Sequence, residues 1–150
     1  MAKFVYRMQN ILELKQKMED QEKIAYTMAA NALKAEQEKL TALYVRRAGY
    51  EKQLSDCMHG TIDLAKIHRC KNSIDAMKSL IRDQMMNVRK AEKALDIERA
   101  KLDEVMKDRK THEKLREKAF EQFKEDLKAE EVKEIDQLTS YTHSIPPEDE

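Results

Sequence analysis

Tryptophan is missing, and aromatic residues of every kind make up only 5% of the 150 residues. So little large apolar surface cannot fill a thick globular core. Proline is nearly missing too. Its two copies sit side by side at Pro146 and Pro147, so nothing upstream has to break a helix. There is no net charge, because 29 basic residues balance 29 acidic ones. That balance argues against a self-repelling disordered chain, and it removes the basic excess on which nucleic-acid binding depends. Long apolar runs are also lacking. The longest uncharged stretch of helical character, Ile24 to Leu33, is about half of what a bilayer span requires, so no direct membrane insertion is expected. The opening residues meet a charge every few positions and offer no apolar core for a secretory signal. A cytoplasmic location is expected, with Cys57 and Cys70 kept as thiols.

What the chain does have is charge, 39% of its residues, arranged with a helical period. From Ile67 the series Ile67, Cys70, Ile74, Met77, Ile81, Gln84, Val88, Ala91, Leu95, Glu98, Leu102, Val105 advances in alternating steps of three and four. Only Gln84 and Glu98 in that series are polar, which marks the a/d seam of a coiled coil. The first arm is less regular. Phe4, Met8, Ile11, Met18, Ala25, Ala29 and Ala32 share one register, interrupted by Lys15 and Glu22. Leu40, Leu43, Arg47, Tyr50, Leu54 and Cys57 share another, and joining the two through Glu36 requires a stutter. A second shift near Arg116 is expected to carry the seam onto Phe120, Phe123 and Leu127.

Between the arms lies Met58-His59-Gly60-Thr61. Gly60 suits the left-handed residue that ends a helix, and Thr61 suits the cap of the next one, with Asp63 close behind. The expected fold is therefore all-α: a two-helix antiparallel coiled-coil hairpin with unequal arms. It covers residues 1–138, turns near 58–61, and ends in a short disordered, acidic tail at 139–150. Charge is uneven along it. Residues 44–72 carry six basic against three acidic side chains, and residues 121–150 carry three against ten. The longer second arm leaves Phe120, Phe123, Leu127 and Ile135 as an uncovered docking stripe, unless Phe4 and its neighbours fold over part of it.

Chemistry-bearing patterns are few. Cys57-x-His59 and His68-x-Cys70 flank the turn symmetrically and supply four zinc-type ligands. Residues two apart on a helix point some 200° away from each other, however, and both cysteines fall on the seam, so packing is the assignment and no metal site is expected. The chain has no glycine-rich phosphate loop, and a two-helix hairpin has no cavity in which to perturb a catalytic group. No enzymatic activity and no cofactor are expected. Met85 and Met86 beside the seam suit an adaptable surface.

The opening Phe4-x-Tyr6-x-Met8-Gln9-x-Ile11-Leu12-x-Leu14-Lys15 resembles the N-terminal signature of the bacterial flagellar export protein FliJ family. Likeness continues through Leu40-Thr41-Ala42-Leu43, the glycine-containing turn, Ile74 to Gln84, and Ile135-Asp136-Gln137. The resemblance implies a soluble component of the flagellar type III secretion apparatus, similar to the γ-subunit stalk of rotary ATPases. The implied partners are the hexameric export ATPase, the cytoplasmic linker of the export gate membrane protein, and export chaperones. The implied location is the cytoplasmic face of the membrane, held there through the apparatus. Carried over by position, the gate contact falls on Lys39, Leu43, Arg46 and Tyr50 of the first arm and on Ser73, Met77, Leu80 and Gln84 of the second. Arg46 and Ser73 stand where relatives usually have an aromatic residue. The pole carrying Phe4, Tyr6, Phe120 and Phe123 is the surface expected to meet the ATPase ring. Without the resemblance, the residues alone also fit a generic structural or chaperone-like coiled-coil adaptor.

Overall fold

The computed structural model describes residues 2–144. They form helix α1, Gln9–Cys57, and helix α2, Leu64–Ser144. No strand occurs among the described residues. The fold is the expected all-α antiparallel hairpin, with arms of 49 and 81 residues. Both arms are rich in Ala, Leu, Met, Lys, Glu and Gln, the strongest helix formers.

Packing divides the chain into two compact units. The first joins Met1–Glu19 to Val105–Glu150, and the second is Asp20–Glu104. In the second unit the buried hydrophobic residues are Cys70, Ile74, Met77, Ile81 and Val88 of α2, at 4–8% exposure. Half-buried Leu33, Leu40, Leu43, Tyr50, Leu54 and Cys57 of α1 complete that strip. In the first unit, Leu12 is the buried hydrophobic residue and Glu19 is a buried carboxylate.

The expected register of the first arm needs correcting. The half-buried and buried positions of α1 contain one continuous series, Leu12, Lys15, Glu19, Glu22, Tyr26, Ala29, Leu33, Glu36, Leu40 and onward to Cys57, in alternating steps of three and four without a stutter, with Ala25 of the expected register half-buried beside it. Met8, Ile11 and Met18 are exposed, and so is Ala32. The reason is electrostatic. Glu19 pairs with Arg109 and takes the seam where the apolar pattern puts Met18, while Lys15, a polar interruption already expected on the seam, pairs with Asp108 at 2.7 Å. On α2 no shift occurs at Arg116 either. The same spacing continues from Val105 through Arg109 and His112 to Ala119 and Phe123, with Arg116 itself exposed and Phe120 off the strip.

Gly60 ends the turn at φ +83°, as its type predicts, where a side chain would be strained. The cap of α2 is not Thr61 but Asp63. Its Oδ1 accepts from the Ala65 amide at 3.0 Å, and its carbonyl accepts from Ile67 at 3.2 Å. The helix therefore opens at Leu64. At the other end α2 runs six residues beyond Leu138 to Ser144. Thr139 and Thr142 turn their hydroxyls back onto the carbonyls of Ile135 and Leu138, at 2.8 Å each, so these polar side chains are satisfied inside a helix. The rest of the expected tail, 145–150, lies outside the described residues.

Candidate partner-binding surfaces

In the second unit the eight expected gate-contact residues separate by depth. Met77 and Gln84 are buried in the seam, at 6% and 8% exposure. Leu43, Tyr50 and Ser73 are half-buried, while Lys39, Arg46 and Leu80 face solvent, Leu80 at 45%. Lys39, Arg46, Ser73 and Leu80 each immediately precede a seam residue, namely Leu40, Arg47, Ile74 and Ile81. In an antiparallel pair such positions line the same flank of the seam. That flank is the accessible part of the expected site, and the buried members support it from beneath.

Gln84 shows how. Its amide donates to the Glu36 backbone carbonyl at 2.9 Å and to the Glu36 carboxylate, while its Oε1 accepts from Asn87 at 3.2 Å. The Gln84 hydrogen bond, followed by the nearby Lys39 ammonium, holds the Glu36 carboxyl below the ordinary carboxylate range against the cost of burial. Tyr44, Val45 and Met86 are exposed and add apolar surface, of which only Met86 is singled out by its place beside the seam. Periodicity identifies what is buried, and residues one place off the seam carry no periodic signal of their own.

At the turn, Cys57 and Cys70 are free thiols lining one cleft with Gln53, Asp56, Lys66 and Arg69. His59 belongs to a neighbouring cleft with Asp56, Thr61 and Asp63, and His68 is exposed. The two cysteines are brought together and the two histidines are not. Among the described residues no three His, Cys, Asp or Glu side chains are arranged to hold a metal.

In the first unit the four expected pole residues do converge. Residues 2–6 are not helical, and Phe4 folds onto α2, its ring centroid 5.1 Å from Phe120 and 5.4 Å from Phe123. Of the two expectations for these aromatics, coverage by Phe4 is the one realised. The Arg116 guanidinium stands 5.8 Å from the Phe4 ring centre and also donates to Gln9 Oε1 at 3.0 Å. Lys124 caps Phe120 at 4.6 Å. Edge-on ring pairs and cation–π contacts of this kind contribute about 0.5–1.5 kcal/mol each. Phe4, Tyr6, Met8, Ala119 and Phe123 line a cleft of about 610 Å³, and the Tyr6 hydroxyl is buried without a hydrogen-bond partner.

Close by, Arg109 forks onto Glu19 and reaches Glu113 at 2.8 Å. Lys15 bonds Asp108 and is the main reason its carboxyl is held below the ordinary range. Beyond Leu127, Val132, Ile135, Leu138 and Tyr141 of α2 are each more than half exposed.

A family model described as flagellar FliJ protein matches residues 4–146. The chain belongs to this family. The match takes in both surfaces and the turn between the helices. Comparison with curated proteins and with solved structures gives no match. FliJ membership makes the chain a component of flagellar protein export. No helix among the described residues is long and apolar enough to cross a membrane.

Proposed function

We propose that this FliJ-family chain is a non-catalytic coupling element of flagellar protein export, linking the export ATPase ring to the membrane export gate and handling export chaperones. Family membership supplies the export setting. The observation that carries the division of labour is the exposure of Leu80, Lys39 and Arg46 along one flank of a seam whose own residues are buried. A partner can grip that flank without opening the hairpin. The gate linker is the partner assigned to it. The aromatic cluster of Phe4, Phe120 and Phe123, with Tyr6, is assigned to the ATPase ring, because it presents apolar surface rimmed by Arg116 and Lys124. On this reading the chain works at the cytoplasmic face of the membrane through its partners.

The test compares Leu80→Ala with the double variant Phe4→Ala, Phe123→Ala in gate-linker binding, ATPase stimulation and swimming. Leu80→Ala should weaken gate binding by about 1–3 kcal/mol, the range of an interface anchor, and leave ATPase stimulation intact. The double variant should do the reverse. A folded Leu80→Ala protein that binds the gate normally and loses ATPase stimulation would overturn the assignment.

A further inference from the structure

Gln84 and Glu36 meet across the seam of the second unit, the amide donating to both the carbonyl and the carboxylate of the glutamate. Glu22 lies fourteen residues before Glu36 on α1, and Glu98 lies fourteen residues after Gln84 on α2. Fourteen residues are two heptads, and a seven-residue repeat returns equivalent positions to the same layer geometry. The layer that holds Glu36 against Gln84 therefore recurs with Glu22 against Glu98, but without an amide to donate. Both are half-buried seam residues, and Glu22 Oε1 is closed off from water with no hydrogen-bond partner. Two ionised carboxylates have acceptors only, so they repel each other there, whereas one proton between them supplies the missing donor.

We propose that Glu22 and Glu98 form a proton-binding site that clasps the two helices of the second unit when occupied and loosens them when empty. In the occupied state a carboxylic acid on one helix donates to the carboxylate on the other. Emptying the site releases one proton to solvent and leaves two facing carboxylates, with no other bond changed. The Glu22 carboxyl is pushed above its ordinary range, first by Glu98 beside it, with which it shares a hydrogen bond only when one of the two is protonated, then by burial, then by the Glu98 charge. Lys101 on α2 opposes this from 3.7 Å beyond Glu98. On α1 the neighbouring Glu19 and Lys23 each have a partner, and the Tyr26 hydroxyl accepts from Arg99 of α2. A carboxyl raised in the folded state stabilises fully below the ordinary carboxylate range and loses that contribution as pH rises through its folded value. The clasp thus opens as pH rises above the ordinary carboxylate range.

The experiment is amide hydrogen exchange on the full chain between about pH 5 and 8, corrected for the intrinsic pH dependence of exchange and read at residues 20–30 and 95–104. In the unaltered chain, protection there should fall severalfold as pH rises. Glu98→Gln places an amide opposite Glu22, as Gln84 stands opposite Glu36, so protection should stay flat across the range. A Glu98→Gln chain that keeps the original pH dependence, or an unaltered chain that shows none, overturns the proposal. Carbon-13 titration of the carboxyl groups gives an independent reading. One of the pair must titrate above the ordinary carboxylate range, and two ordinary titrations would refute the shared proton.

Discussion

The second unit is held by Cys70, Ile74, Met77, Ile81 and Val88, five buried hydrophobic side chains of α2, whereas the first buries Leu12 and, two helical turns away, the carboxylate of Glu19. That apolar packing, between Cys70 and Val88, is non-directional. The first unit's contacts depend on Arg109 meeting Glu19 and Glu113, and on Lys15 meeting Asp108. A partly buried ion pair contributes little net stability, because desolvation offsets most of the attraction, but it rejects every register that leaves a charge alone. The contrast shows that one repeat can serve two ends: tight closure where the seam is apolar, and register without tight closure where it is charged.

The largest expected effects come from deleting the buried apolar residue of each unit. Ile81→Ala in the second unit and Leu12→Ala in the first, exposed only 4% and 3%, should each cost about 2–4 kcal/mol in chemical denaturation. Met18→Ala should stay within about 0.5 kcal/mol, because Met18 lies outside the observed strip at 39% exposure. If Met18→Ala proves the costlier change within the first unit, the apolar register read from sequence is right and the charged seam is wrong. A smaller effect separates the two cap candidates. Asp63→Ala should lower stability by about 1 kcal/mol, and Thr61→Ala should have no measurable effect, since only Asp63 bonds the first turn of α2. Equal losses from the two would move the cap back to Thr61.

Much of the hairpin is legible in the order of the amino acids alone. The second arm from Ile67 to Val105 follows its repeat, and Gly60 adopts the positive φ its residue type favours. The first arm does not yield to the same rule. Ile11 and Met18 look like seam residues by hydropathy, yet Leu12 and Glu19 take the seam, and the partner of Glu19, Arg109, lies about ninety residues away in the chain. Long-range charge pairing leaves no local periodic trace. The end of α2 lies beyond the expected Leu138 for a related reason. Thr139 and Thr142 lower helix propensity, and their hydroxyls find the backbone carbonyls only once the helix exists. Of the candidate surfaces, the aromatic cluster is legible as Phe4 covering Phe120 and Phe123. The gate flank is legible only through the family, and depth then divides Met77 and Gln84 from Leu80.

Hydrogen exchange on Arg109→Ala, resolved by residue and compared with the unaltered chain, tests the two-seam account most directly. Removing the guanidinium takes from buried Glu19 its contact with Arg109 across the seam. Protection should therefore fall at residues 9–19 and 105–120 and stay unchanged at residues 70–88. Unchanged protection in the first unit, or an equal loss in both, would contradict the account.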